Sequence, residues 1–195
     1  MMTTTTRPTA VLAALITLLL AALILPLSTA TADDFDPAER GRIEMLLLPY
    51  DHSPDAKAFK AVATDPQAHL LDIVRSPDTR ELLRLQAIVA LSHFPNAKTL
   101  KAYTDIIAAA GLTDPGSRAL HRTLQSLAFG FGTRALPHLE PLLAHSDPQV
   151  RLTVVHAMAH TGDKGKAKLR DHLNKDKEND PLVQETLEKL AATLR

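Results

Sequence analysis

A turn that recurs at nearly constant spacing is the sequence feature that most constrains the fold of this chain. Each turn is Ser or Asp followed by Pro, and the prolines are Pro77, Pro115, Pro148 and Pro181, at intervals of 38, 33 and 33 residues. An acidic or hydroxyl residue before Pro is typical of an N-cap and the first residue of a helix. Because apolar residues at helical spacing flank each turn, each turn predicts a junction between two helices.

The clearest repeating unit extends from Gly132 to Gly162. Its two halves carry apolar residues at helical spacing, which are Leu136, Leu139, Leu142 and Leu143 in the first and Val150, Val154, Ala157 and Met158 in the second. Each set forms one stripe on a helix. The unit is therefore predicted to be a helical hairpin with these stripes, including Val154 and Met158, in the core.

The same order of helix, turn and helix recurs along the chain after residue 33. The predicted pairs are 36–48 with 53–62, 66–74 with 82–94, 96–110 with 117–129, 133–143 with 149–159, and 163–173 with 181–194. Strand signals are scarce, since the sequence has no run of alternating β-branched or aromatic residues with hairpin turns. The sequence predicts an all-α domain of about five antiparallel helix pairs, close to the ~40 residues per pair of helical repeats.

The unit around Pro148 resembles a HEAT repeat. The residues that carry the resemblance are 136–143, Asp147 to Arg151, and Ala157-Met158. HEAT repeats pair a first helix, often kinked at a Pro, with a second helix that opens on Asp and carries Val-Arg. Pro141 fits the kink, since proline removes one helical hydrogen bond. The resemblance covers roughly residues 66–195 and implies a right-handed α-α superhelix, a HEAT-like solenoid, whose second helices line a surface that binds proteins or peptides.

The match to the HEAT pattern is uneven between units. Arg84 and Arg151 occupy equivalent positions, but Leu120 and Gln184 stand there in the other two units. Arg80 stands at the position equivalent to Asp147. A ladder of Asp–Arg pairs therefore does not run through all the units, and a pair between Asp147 and Arg151 is expected to be local.

The first thirty-two residues have the three parts of a secretory signal peptide. Arg7 is the only charge before an apolar run at 11–25, Pro26 ends that run, and Ala30-Thr31-Ala32 suits a signal peptidase. Cleavage is expected before Asp33, with cleavage after Ala30 as the neighbouring option. The run is shorter than the ~20 residues of a spanning helix. We expect residues 1–32 to be removed and residues 33–195 to be exported to a bacterial periplasm or exterior; the alternative is a retained membrane anchor.

Composition and charge narrow the function. Lys and Arg number 22 and Asp and Glu number 22, so the formal net charge is zero, which argues against a nucleic-acid binder. The chain has no Cys, which excludes disulfides, thiolate metal sites and a cysteine nucleophile. The sequence has only seven Gly, which argues against a glycine-rich phosphate-binding loop. It has no Gly-x-Ser-x-Gly motif, which argues against a serine nucleophile at a sharp strand-to-helix turn. We expect no enzymatic activity and no cofactor.

The repeat alignment predicts which side chains line the groove of the solenoid. On helix 149–159, His156 lies about 200° around the axis from Val154, at ~100° per residue, and so faces away from the core. Aligning the units on Leu91, Leu127 and Met158 places nine positions in three rows. These groove rows are Gln86, Arg122 and Thr153; Val89, Gln125 and His156; and His93, Phe129 and His160. An exposed Phe129 would mark a contact patch.

The closest histidine pair raises the question of a metal. His156 and His160 are four residues apart, so both rings lie on one helix face. No third ligand is near them in sequence, and no His in the chain is followed by Glu, unlike the paired His-Glu dipeptides of HEAT-like iron hydroxylases. The prediction is an exported, non-enzymatic scaffold that binds a protein or peptide partner in the cell envelope. The alternatives are a HEAT-like enzyme or metal-binding protein that uses groove histidines, and a membrane-tethered scaffold.

Overall fold

The computed structural model describes residues 36–48, 54–114, 117–175 and 178–192, apart from the side chains of residues 111–113 and 191. The predicted signal peptide, the turn at Pro115 and the predicted end of the last helix at Leu194 lie outside these residues. The described part of the chain is helical and contains no strand. None of its helices is both long and apolar enough to cross a membrane.

The helices follow the predicted pairs closely. Helices α1 to α6 span Pro37–Leu47, Ala56–Val62, Pro66–Arg75, Glu81–Leu91, Ala97–Thr113 and Arg118–Phe131. Helix α6 thus ends two residues beyond the predicted end at Phe129. After an irregular segment that contains the single α-helical turn α7, Leu136–Leu139, helices α8, α9 and α10 span Pro148–His160, Asp163–Lys175 and Pro181–Ala192.

Short polar side chains fix the starts of most helices. The carboxylate of Asp147 accepts a hydrogen bond from the backbone N–H of Gln149 at 2.7 Å, and Pro148 is the first helical residue. The other side chains that accept from the first turn of a helix are those of Asp36, Asp55, Asp65, Asn96 and Asp180. Each such cap typically contributes about 1 kcal/mol. The turn signals in the sequence therefore act as helix caps.

The second helices of the last four pairs pack side by side, each against the second helix of the neighbouring pair. Helix α6 packs against α4 on one side and α8 on the other, and α8 also packs against α10. Within the pairs, α3 packs against α4, α5 against α6 and α9 against α10. The fully buried side chains between these helices include Leu91, Leu120, Leu124, Leu127, Val154 and Met158. The predicted core positions Val150, Val154, Ala157 and Met158 are all buried, whereas Leu142 in the stripe of the preceding segment is half-buried.

Two equivalent arginines fasten the turns of their own helix pairs. Arg84 donates to the carbonyls of Ser76 at 2.9 Å and Thr79 at 3.0 Å. Arg151 donates to the carbonyls of His145 at 2.8 Å and Ser146 at 3.1 Å. Both arginines therefore bind the carbonyl five residues earlier, which satisfies backbone acceptors that a turn leaves without helical partners.

The ion pair of Arg151 differs from the expected local pair with Asp147. Its guanidinium donates to both carboxylate oxygens of Glu178, with Nε–O and Nη2–O distances of 2.8 Å and 2.6 Å. Glu178 lies in the loop before α10, whereas Asp147 caps α8. The pair therefore joins two successive helix pairs rather than one turn.

The segment Gly132–Ala144 is more broken than the predicted helix with one kink. It consists of a 3-10 stretch at Gly132–Ala135, the single turn α7 and a second 3-10 stretch at Glu140–Ala144. Pro137 and Pro141 each lack a backbone N–H, and they stand in adjacent turns. Leu136, Leu139 and Leu143 are nevertheless buried, so the segment keeps its predicted apolar stripe.

Candidate functional site

One cavity of about 580 Å³ lies on the outer face of α4, α6 and α8. Its ten lining residues are Val89, Ser92, His93, Arg122, Gln125, Ser126, Phe129, His156, Ala157 and His160. Seven of the nine groove-row residues are among them, and Gln86 and Thr153 are the two that are not. The volume lies within the range typical of ligand pockets. We call this cavity the groove cavity.

Three rings form one side of the groove cavity. Phe129 lies on α6 and His160 on α8, whereas His93 follows α4, which ends at Leu91, three residues before the predicted end at Phe94. The ring of Phe129 lies between those of His93 and His160, as the row alignment predicts. Its centroid is 6.3 Å from that of His93 in an edge-to-face arrangement and 5.6 Å from that of His160 in a stacked one. Both distances lie in the favourable range for aromatic pairs. Phe129 is nevertheless 60% exposed, so neighbouring rings hold it without burying it.

A glycine permits the close approach of the helices that brings His93 and Phe129 together. A Cβ at Gly130 would lie 2.7 Å from the backbone oxygen of Ser92, at the end of α4. No larger side chain fits there without moving one of the two helices, since protein interiors are closely packed. Gly130 therefore sets the distance between α4 and α6 beside Phe129.

Small side chains form the floor of the groove cavity. Ser126 and Ala157 are buried, and the repeat alignment makes them equivalent to Ala90, which is buried as well. Ser92, also buried, donates its hydroxyl to the carbonyl of Val89 at 2.6 Å. Ser92, Ser126 and Ala157 are lining residues outside the predicted groove rows, and Ala157 belongs to a predicted core stripe. The signal for Ser126 and Ala157 is the row of small residues that they form with Ala90, one position after the middle groove row.

The charge in the groove cavity has one sign. Arg122 is its one permanently charged lining residue, three of its other members are histidines, and none of the ten is acidic. In the described part of the chain Arg122 has no ion-pair partner. Arg118, one turn earlier on α6, pairs with Glu81 at 2.8 Å. The guanidinium of Arg122 is thus available to a ligand.

The groove row of Gln86, Arg122 and Thr153 only partly reaches the groove cavity, because Thr153 contacts a neighbouring helix instead. The Thr153 hydroxyl donates to the carbonyl of Gln149 at 2.9 Å and accepts a hydrogen bond from Nδ1 of His121 at 2.7 Å. His121 on α6 and Thr153 on α8 therefore bridge the two helices. This contact ties Thr153 to the framework rather than to the groove cavity.

The described residues contain no group of three or more His, Asp or Glu side chains placed to hold a metal ion. His156 and His160 both line the groove cavity, and the His160 ring stacks on Phe129. Within the described ranges, His160 is thus a neighbour of an aromatic ring, and neither histidine belongs to such a cluster of three.

A second cleft provides a comparison within the same molecule. It has a volume of about 350 Å³, lies beside α1 and α4, and is lined in part by the exposed side chains of Met45, Leu48 and Leu82. Its lining includes charges of both signs, and Arg40 pairs there with Glu44 at 3.0 Å. Arg40 is therefore paired within this cleft, whereas Arg80, which also lines it, has no ion-pair partner among the described residues. Unlike the groove cavity, this cleft also contains the carboxylates of Glu44 and Asp78.

No family model, no curated protein and no solved structure matches the chain. The candidate site is accordingly defined by the geometry and charge of the groove cavity.

Proposed function

We propose that this chain is an exported, non-enzymatic scaffold that binds a protein or peptide partner through the groove cavity. The single observation that carries the proposal is an exposed aromatic ring, Phe129, in the wall of a cavity formed at the second helices of three successive pairs. Aromatic side chains of this kind commonly dominate the energy of protein interfaces. A concave site with apolar walls and a few polar groups is the usual form of a binding site.

The architecture we propose is a HEAT-like solenoid, a right-handed α-α superhelix. Its support is the packing of α6 against both α4 and α8, and of α8 against α10, beside the first helices of the same pairs. In such a stack each helix pair covers the apolar stripe of its neighbour, so stability is mainly a sum of nearest-neighbour contacts. The outer faces of the second helices then remain free for a partner.

The groove cavity is suited to a chain segment rather than to a flat surface. Its small floor residues leave space for a side chain, and the three-ring row provides a wall. A side chain that enters the space buries apolar area against Phe129 and Val89 at about 25 cal/mol per Å². An extended peptide therefore gains more from this site than a small polar solute does.

A photo-crosslinking experiment tests this function. We expect p-benzoylphenylalanine at Gln125, an exposed lining residue, to give a discrete adduct in cells that export the chain. The same group at Lys101, exposed on α5, serves as the matched control and should give none. Adding Phe129→Ala to the Gln125 variant should remove most of the adduct. Equal labelling from both positions, or none from Gln125, contradicts the proposal.

The mass of the mature protein tests the proposed address separately. A chain that begins at Asp33 or at Thr31 supports export with cleavage of the signal peptide. A mature chain that retains residues 11–25 supports the membrane-tethered alternative instead.

A further inference from the structure

We infer that the partner of the groove cavity is an acidic peptide segment, in which a carboxylate binds Arg122 and an apolar side chain packs against Phe129. This inference rests on the proposed function and names the chemistry of the partner. Two observations carry it: the one-signed charge of the lining and the distance between the two anchors.

The unpaired positive charge of Arg122 favours an anionic ligand. A guanidinium lined by neutral neighbours, with no carboxylate from the described residues, is complementary to an anion that arrives with the ligand. Arg binds a carboxylate through two parallel hydrogen bonds, which gives both energy and orientation. The histidines of the groove cavity add positive charge when protonated and never add negative charge. Electrostatic complementarity therefore favours an acidic peptide and disfavours a basic one.

The second cleft differs from the groove cavity because its lining includes two carboxylates, those of Glu44 and Asp78, beside Arg40 and Arg80. There the exposed apolar side chains of Met45, Leu48 and Leu82 lie beside Arg40, whose charge is balanced by Glu44 and Asp72. An acidic ligand would meet carboxylates in that cleft and would gain little from Arg40. Of these two cavities, the groove cavity is the one that combines an exposed phenyl ring with an unpaired cation and has no carboxylate in its lining.

Arg122 and Phe129 lie on the same helix, at a spacing that an extended peptide can match. They are seven residues apart, which corresponds to about 10 Å along α6 at 1.5 Å per residue. In a polyproline II conformation, residues three apart lie on the same side of the chain and about 9 Å from each other. A peptide along α6 would therefore match both anchors with an acidic and an aromatic residue three positions apart.

Fluorescence anisotropy with defined peptides tests the inference. The probes are blocked, dye-labelled nonapeptides of Ser, Ala and Pro that carry Glu at position 3 and Phe at position 6, and the same peptides with the two residues exchanged. Matched probes replace Glu by Gln or Lys. For the purified full chain in low salt, we expect the better Glu/Phe probe to bind about five times more tightly than its Gln counterpart, as for a partly exposed charge-assisted pair. The Lys probe should bind most weakly.

Two variants of α6 assign the effect to the groove cavity. Arg122→Gln should reduce the Glu-to-Gln preference to about one, because it removes the positive charge while keeping an amide donor. Arg118→Gln, one turn away and paired with Glu81, should preserve the preference. Phe129→Ala should weaken the Glu and Gln probes alike and leave their ratio unchanged. Both arginines are exposed, so the variants are expected to keep the circular dichroism spectrum of the parent chain.

The outcomes separate this inference from the proposed function. Equal affinity for Glu and Gln probes, or a preference that survives Arg122→Gln, overturns the acidic partner. If those probes still depend on Phe129, the groove function stands. Absence of binding by every probe also overturns the inferred chemistry, and the crosslink at Gln125 then decides the groove function alone. Tighter binding of a nine-nucleotide oligothymidylate than of any peptide overturns both, because an aromatic ring beside Arg also suits stacked bases.

Discussion

The inward and outward faces of α4, α6 and α8 belong to the same three helices but differ in the burial of their side chains. On the inward face, Leu91, Leu127 and Met158 are fully buried and contact the neighbouring helices. On the outward face, Phe129 is 60% exposed and His156 is exposed as well. Two residues along a helix turn the side chain by about 200°. The difference indicates that the inward face determines the stability of the fold, while the outward face is free to carry chemistry.

The strongest way to break this comparison is a charge on the inward face. Val154→Asp places an unpaired carboxylate at a fully buried position between α8 and its neighbours. Burying such a group is very costly, and we expect a loss of more than about 4 kcal/mol of unfolding free energy. Urea titration followed by circular dichroism should show that at least the helices after Gly132 have unfolded.

The matched control makes the same chemical change on the outward face of the same helix. His156→Asp, two residues further along α8, should change stability by less than about 0.5 kcal/mol. If the two substitutions lower the free energy of unfolding by similar amounts, Val154 does not face the core and His156 does not face outward.

A methyl group at Gly130 tests whether close helix contact supports the groove. Ala in place of Gly normally stabilises a helix by about 1 kcal/mol. At Gly130 the added Cβ meets the Ser92 carbonyl, and we expect a net loss of about 1–3 kcal/mol in thermal unfolding. Gly41→Ala in α1 is the control, because its Cβ meets nothing within 4 Å and should stabilise the chain. A higher melting temperature for Gly130→Ala would show that the helices are further apart.

The ion pair at the start of α8 extends the comparison to pH. Hydrogen bonds from Arg151 hold the pKa of Glu178 below its ordinary value of 4.5. Since this pKa is lowered in the folded state, its contribution is complete above about pH 4.5 and is lost as pH falls through the folded-state pKa. We expect Glu178→Gln to cost about 2 kcal/mol at neutral pH, because the side chains of Arg151 and Glu178 are only 14% and 5% exposed.

Measuring urea unfolding of the parent and the variant from pH 7 to pH 3 checks this sign. The difference in unfolding free energy should shrink towards the acid end. Glu185→Gln, which removes an exposed pair with Lys189, should cost less than about 0.5 kcal/mol. A Glu178→Gln gap that stays constant across this range contradicts the assignment.

The smallest expected effect lies on the outward face. Replacing both His156 and His160 by Ala should keep the helix content and lower the free energy of unfolding by no more than about 0.5 kcal/mol. Thermal denaturation followed by circular dichroism measures both quantities. A large fall in melting temperature would show that these side chains belong to the core.

Features that depend on residues close together in the chain, or on the spacing of apolar residues and repeats, could be predicted from the sequence. The Asp-Pro turns gave the starts of α1, α3, α8 and α10, because a cap needs only the first turn of its own helix. The repeat alignment gave the ring row of His93, Phe129 and His160, because equivalent positions on parallel neighbouring helices face the same way.

Features that depend on which elements meet could not be predicted from the sequence. The contact of Gly130 with Ser92 and the pair between Arg151 and Glu178 each join parts of different helix pairs. Thr153 fell outside the groove cavity because His121, on another helix, binds its hydroxyl. The apolar spacing predicts a helix over 133–143, but Pro137 and Pro141 together break the segment Gly132–Ala144 into two 3-10 stretches and one α-helical turn.

The turn-fastening arginines have a consequence for how such a chain can lengthen. The hydrogen bonds of Arg84 and Arg151 to turn carbonyls lie within their own helix pairs, so a tandem duplication of either pair would carry these bonds with it. The bond of Arg151 to Glu178, in contrast, reaches the next pair. The contact of Gly130 with Ser92 and the ion pair of Glu178 with Arg151 lie between helix pairs, so equivalent contacts would have to arise at each new junction. Growth by whole helix pairs would therefore need new contacts only at the junctions between pairs, and each added pair would extend the proposed binding surface by one helix.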